Sequence, residues 1–186
     1  MFEPGSAILY MKVGTHAKEE LSDIIERKQR EIEDEGMAMW GYGGNTCHPT
    51  TMVQPFARTR ATDEQPIVLA MQPMKSKHFA DPVRADEYSQ DGKIWTPVPQ
   101  GINVLGSRYA LCIRTLEQVD TKIHLAETKV AIGKSLGKAG SSYVKGRVDK
   151  ACLEVTSEAV VDEDEGVPIG LIAELVDPYA VFLRNS

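Results

Sequence analysis

The amino-acid sequence predicts a single α+β domain built on a mostly antiparallel sheet. Three observations predict it: one long amphipathic helix near the start, short runs rich in β-branched residues through most of the remainder, and a length of 186 residues, close to the usual size for one core. A hydrophobic fraction of 42% is enough to fill that core without disulfides or metal, and a charged fraction of 26% is ordinary for a globular chain.

Ala7 to Val13 (AILYMKV) is short, apolar and partly alternating, which predicts a strand ending at Gly14. Thr15 is then placed to cap a helix. From Ala17 to Glu35 the residues Leu21, Ile24, Ile25 and Ile32 recur at helical spacing, with Asp23–Arg27 and Glu26–Arg30 as i,i+4 pairs on the wetter side. Gly36 supplies the stop, because a left-handed residue after the last turn costs glycine least. Met37 to Tyr42 reads as a second strand, so residues 7 to 42 form a β–α–β unit whose two strands a crossover would place in parallel.

Residues 49 to 65 suggest an irregular connection or short helix, and Ile67 to Met71 a strand. The stretch 72–101, with Pro73, Pro82, Pro97, Pro99 and the turn pair Asp91-Gly92, reads as a long ordered excursion. Ile102 to Val119 and Lys122 to Ile132, separated by Asp120-Thr121, suggest a hairpin. Ser141 to Lys150 suggests a short helix. Cys152 to Val161 and Ile169 to Leu183 complete the β-rich C-terminal half, joined by an acidic turn at 162–166.

Cys47, Cys112 and Cys152 are odd in number and widely spaced, a poor disulfide framework that fits a reducing compartment; the expected location is cytoplasmic. Residues 1 to 13 lack the pattern of a signal peptide, and no apolar run reaches the roughly 18 residues a membrane span needs. The net charge of −6 is uneven: residues 151 to 186 hold eight acids and one base, while the first 150 hold 20 bases and 19 acids. An acidic chain is a poor default binder of nucleic acid, whose affinity rests on neutralising phosphates.

The stretch Trp40 to Pro49 (WGYGGNTCHP) is the most site-like. Gly41, Gly43 and Gly44 let backbone N–H groups turn inward around an anion, with Trp40, Tyr42, Asn45 and His48 crowded about them; the competing reading is a plain tight turn. The spacing is not a dinucleotide fingerprint, since Thr46 stands where the third glycine belongs. Cys47 and His48, as chain neighbours, point to opposite faces and cannot form their own dyad, although His16 could reach Cys47 across the sheet. No second Cys/His pair at finger-like spacing supports zinc.

Thr15 and His16 sit at the expected helix start, where free N–H groups and partial positive charge receive anions. Gly133-Lys134-Ser135 resembles the end of a phosphate-binding loop but has Thr128 where its first glycine should be. The segment 133–150 is nevertheless rich in glycine, serine and lysine, with Lys145 and Arg147 as candidate ligands in a mobile basic arm.

These groupings predict a non-catalytic binding protein for a small anionic ligand, a nucleotide or cyclic nucleotide, with no cofactor and no metal. Thr15, His16, Trp40, Tyr42, Gly43, Gly44, Asn45, His48, Lys145 and Arg147 form the expected pocket. Two alternatives compete with it: a hydrolase or transferase using His48 or His16 as general base with Cys47 or a bound water, and an acidic interaction or inhibitor protein covering a protein partner through its C-terminal region and long central loop. A homo-oligomer is compatible with all three.

Overall fold

In chain order the strands are β1 (Ala7–His16), β2 (Ala38–Tyr42), β3 (Val68–His78), β4 (Glu87–Ser89), β5 (Thr96–Pro97), β6 (Tyr109–Ile113), β7 (Glu117–Ile123), β8 (Thr128–Val130), β9 (Lys150–Val155), β10 (Val160–Val161) and β11 (Val167–Arg184). The helices are α1 (Leu21–Glu35), α2 (Gln54–Arg60) and the single turn α3 (Gly140–Tyr143). The computed structural model describes the backbone of residues 2–62, 64–78, 80–144, 148–157, 160–161 and 166–186, and the side chains of all of these but 76–78 and 160–161.

β1 is apolar at every position from Ala7 to Met11, and it is buried on both faces. Leu9, Met11 and Val13 enter one core cluster, while Ile8 and Tyr10 enter another, as the two-residue period of a strand requires. Its neighbours are β3, in parallel, and β9, antiparallel. The other strand pairs described are antiparallel, so the chain is a single α+β domain with a mixed, mostly antiparallel sheet.

β11 joins the two halves of the sheet. Its first part pairs with β3 and β7; its last part pairs with β6 and β4. Between Leu175 and Ala180 the register shifts, with Tyr179 at φ +68°, and this bulge lets one strand serve both halves. A Cβ at Gly170 would come 2.6 Å from the Pro73 ring, so glycine there lets β11 run past a proline on β3.

The β1–α1–β2 succession is present, and Gly36 ends α1 at φ +82°, its N–H donating to Ile32 O. Three sequence expectations in this region are corrected. β1 continues through Thr15 to His16, and α1 begins at Leu21, because Ala17 and Lys18 form a left-handed turn (φ +48° and +65°) closed by paired bonds between His16 and Glu19. Thr15 therefore caps no helix; its hydroxyl donates to Glu20 Oε2 at 3.2 Å. β2 is not a parallel neighbour of β1 but pairs antiparallel with β6, burying Trp40 and Tyr42 in the central core. Arg27 pairs with Glu19 and Glu31 rather than with Asp23.

The hairpin expected at Asp120-Thr121 is also corrected: β7 runs straight through both residues and pairs with β11 and β10. Neither residue is a glycine, which a tight two-residue hairpin turn favours for its positive φ, and β-branched Thr121 suits extended backbone. The 72–101 excursion is shorter than expected, since β3 extends to His78 and β4 and β5 form a small antiparallel pair. The helix expected over Ser141 to Lys150 is reduced to one turn, and Lys150 opens β9. Lys145, Arg147 and acidic residues 162–165 lie outside the described residues, as does the side chain of His78. Among the described residues no helix is long and apolar enough to cross a membrane.

Candidate functional site

A cavity of about 540 Å³ opens where six parts of the chain meet: the end of β1, the flank of α1, the end of β2 with its glycine loop, Met74 of β3, the start of β9, and the Val104-Leu105 segment. Strand alternation sends Met11 and Val13 to its floor beside Trp40 and Tyr42, and α1 adds Ile24. Around this apolar floor stand three cations, Arg27, Lys28 and Lys150, each paired with a carboxylate from among Glu19, Glu31 and Asp149.

Lys28 is 2% exposed on the apolar stripe of α1. Its Nζ donates to Asn103 O at 2.6 Å and to Glu31 Oε2 at 3.1 Å, and Glu31 Oε1 in turn accepts from the Asn103 N–H at 2.8 Å. Burial lowers the Lys28 ammonium to about 8 despite the neighbouring Glu31 carboxylate, which pulls the other way. Arg27 is held between Glu19 and Glu31, with its buried Nε lacking a hydrogen-bond partner.

Lys150, 4% exposed, stands on the opposite wall. Its Nζ donates to Gly43 O at 2.9 Å and to Asp149 Oδ1 at 2.7 Å and lies 5.8 Å from the centre of the Tyr42 ring. The glycine loop is thereby tied to β9 through a buried ammonium. Burial pushes the Tyr42 phenol well up, and its hydroxyl donates to Cys47 O at 2.5 Å. Lys12 meets the cavity edge between Met11 and Val13 on β1, where its N–H donates to Asp149 O at 2.8 Å.

His16 is positioned from the far side. Its Nε2 lies 3.0 Å from Leu105 O and 3.1 Å from the Ser107 hydroxyl. That contact depends on Gly41, because a Cβ there would fall 2.2 Å from Ser107 Oγ. Gly44, at φ +87°, turns the chain past Lys150, while the side of Gly43 that a Cβ would occupy is open.

Of the residues nominated from sequence, Thr15, His16, Trp40, Tyr42, Gly43 and Gly44 line this one cavity; exposed Asn45 and half-buried His48 do not. The His48 ring packs edge-on against Phe182 (5.4 Å between centres) and Tyr109 (5.8 Å), and its Nδ1 caps the π-helical turn Pro49–Val53 through the Thr51 N–H. Cys47 faces Cys152, not His16. The helix-start reading is replaced by a helix-flank geometry, since Ile24, Arg27 and Lys28, not the first N–H groups of α1, reach the cavity. Lys12, Arg27, Lys28 and Lys150 escaped nomination, although Lys28 carried a signal: with Glu31 it interrupts the stripe set by Ile24, Ile25 and Ile32.

No cluster of metal-ligating side chains occurs among the described residues. Comparison with known proteins gives no match, with no family model, no curated sequence and no solved structure significantly similar to this chain.

Proposed function

We propose that the chain binds a small anionic ligand, a nucleotide or cyclic nucleotide, in this cavity without transforming it. One observation carries the reading: in a chain of net charge −6, two buried lysines, Lys28 and Lys150, and Arg27 with its buried, unpartnered Nε stand around one apolar-floored cavity of about 540 Å³. That volume falls in the range of small-molecule sites, and a few charged groups over an apolar floor are the usual composition of one. These cations sit beside poorly hydrated walls, where an anion interacts more strongly than in water. Trp40 and Tyr42 offer a floor for a ring, while Arg27, Lys28 and Lys150 address phosphate from two sides.

The test is thermal and calorimetric titration with adenosine, AMP and cyclic nucleotides. A charged member at a hundred times its Kd should add about 2.7 kcal/mol of stability, whereas uncharged adenosine should add far less. Arg27→Met and Lys150→Met should each weaken binding at least about tenfold, in line with the loss of one charge-assisted bond. Recovery of the nucleotide unaltered after long incubation would support the non-catalytic half; conversion to a product would overturn it. Absence of any shift up to millimolar nucleotide would remove the binding proposal.

A further inference from the structure

Behind the glycine loop, two thiols from distant parts of the chain meet. Cys47, five residues beyond Tyr42, and Cys152, two residues beyond Lys150, place their sulfurs 3.9 Å apart, and both are free and buried. Their surroundings belong to the cavity wall: Tyr42 donates to Cys47 O, Lys150 donates to Gly43 O, and Met11, which lines the cavity, pairs with Lys150 across β1 and β9. Cys47 adopts φ +57°, and Cys152 is fixed between Leu9 on one side and Ala131 on the other. Cys112 is also buried but belongs to a different core cluster, with Met39, Ala110 and Val181. Pairing at this separation is therefore specific to two of the three thiols.

We propose that Cys47 and Cys152 form a reversible disulfide that locks the glycine loop to β9 and weakens ligand binding in the cavity. The site itself is independent of the binding reading, whereas the effect on affinity rests on it. Going from the present contact to a bonded pair requires an approach of about 2 Å, within the reach of a loop that carries Gly43 and Gly44. The bond fixes Gly43 O in its 2.9 Å contact with Lys150 Nζ and so holds the ammonium away from an incoming anion.

With a peroxide as oxidant the step balances. The Cys47 sulfur attacks one oxygen of hydrogen peroxide, the O–O bond breaks, and Cys47 becomes a sulfenic acid with release of one water. The Cys152 sulfur then displaces the hydroxyl group, the S–S bond forms, and the Cys152 proton leaves with that hydroxyl as a second water. Two thiols are oxidised and one peroxide is reduced. A small dithiol returns the pair to the reduced state by exchange.

The experiment exposes the reduced wild-type chain to hydrogen peroxide and follows intact mass, peptide connectivity and binding of AMP. The expected product has lost two hydrogens, joins the Cys47 and Cys152 peptides, leaves Cys112 free, and binds AMP about fivefold or more weakly. Cys112→Ser should still cross-link; Cys47→Ser and Cys152→Ser should not. No cross-link, or one that involves Cys112, overturns the site, and the wild-type mapping decides this even if a variant fails to fold. A 47–152 cross-link that leaves AMP affinity unchanged overturns the coupling to binding. If reduced protein binds no AMP, the binding reading and the effect on affinity have failed; hydrogen exchange at residues 43–47 then decides the locking of the glycine loop, which stands if oxidation slows exchange and falls if it does not.

Discussion

At the scale of single residues, Lys28 is the most consequential group. Its folded value of about 8 lies below the unfolded value of 10.5, chiefly through burial. Between those two values the unfolded chain holds a proton that the folded chain has released, so this group's contribution to stability rises with pH and is lost as pH falls through about 8. Cys112 and Tyr10 act in the opposite sense. Burial pushes each to about 12, from 9.0 and 10.0 respectively, so their contribution is present at lower pH and is lost as pH rises beyond those unfolded values. Urea midpoints should therefore rise between about pH 8 and 9 and fall above it, where Cys112 and Cys152, the latter raised by its Cys47 contact and burial, together outweigh Lys28, and Lys28→Met should abolish the rise while keeping the fall. A variant whose curve runs parallel to the wild type would remove Lys28 as the cause. Anion affinity should decline over the same interval as Lys28 loses its charge.

At the scale of elements, one side chain organises the long central segment. The Arg84 guanidinium donates to Ile102 O through Nε and Nη2, to Asn103 Oδ1 at 3.0 Å and to Pro99 O at 2.8 Å. It thus gathers the chain on either side of β5 and fixes Asn103, whose carbonyl and N–H hold Lys28 and Glu31. The segment carries few ladder bonds of its own, so a single cation replaces regular pairing as its fastener. Arg84→Ala should cost about 2 to 3 kcal/mol, the scale of lost charge-assisted bonds to buried acceptors. Hydrogen exchange should also accelerate selectively over residues 96 to 104. Uniform acceleration across β1 and β3 as well would mean that Arg84 supports the global fold and not this segment.

At the scale of the whole molecule, the cavity gathers buried cations within an acidic chain. The chain carries −6, with the net negative charge concentrated after residue 150, while the cavity collects Arg27 and Lys28 from α1 and Lys150 from β9. Long-range repulsion from the acidic remainder opposes an arriving anion, and the cavity cations attract it only at close range. Added salt screens both, but the exposed and distant charges are screened first because the screening length at ordinary ionic strength is about 8 Å. Nucleotide affinity should therefore change by less than about tenfold between 0.05 and 0.5 M NaCl, unlike a surface phosphate site. A decline of a hundredfold or more would place the cations in open solvent.

The sequence by itself determined the α+β class, the long amphipathic helix with its stop at Gly36, and the neighbourhood Thr15–His16 and Trp40–Gly44 that now lines the cavity. These are local matters: periodicity records which face of an element is buried, and glycine records where backbone must turn. The turn at Ala17-Lys18, the pairing of β2 with β6, and the passage of β7 through Asp120-Thr121 were decided only in three dimensions. Ala and Lys are good helix formers, yet fully buried Ala17 packs against Gly106, where a Cβ would lie 3.1 Å away, and that contact outweighs an intrinsic preference worth tenths of a kcal/mol. The cations that define the cavity were equally invisible for a physical reason. A lysine reads as solvent-facing until the tertiary fold supplies Glu31 and Asn103 around one ammonium, and Gly43 and Asp149 around another.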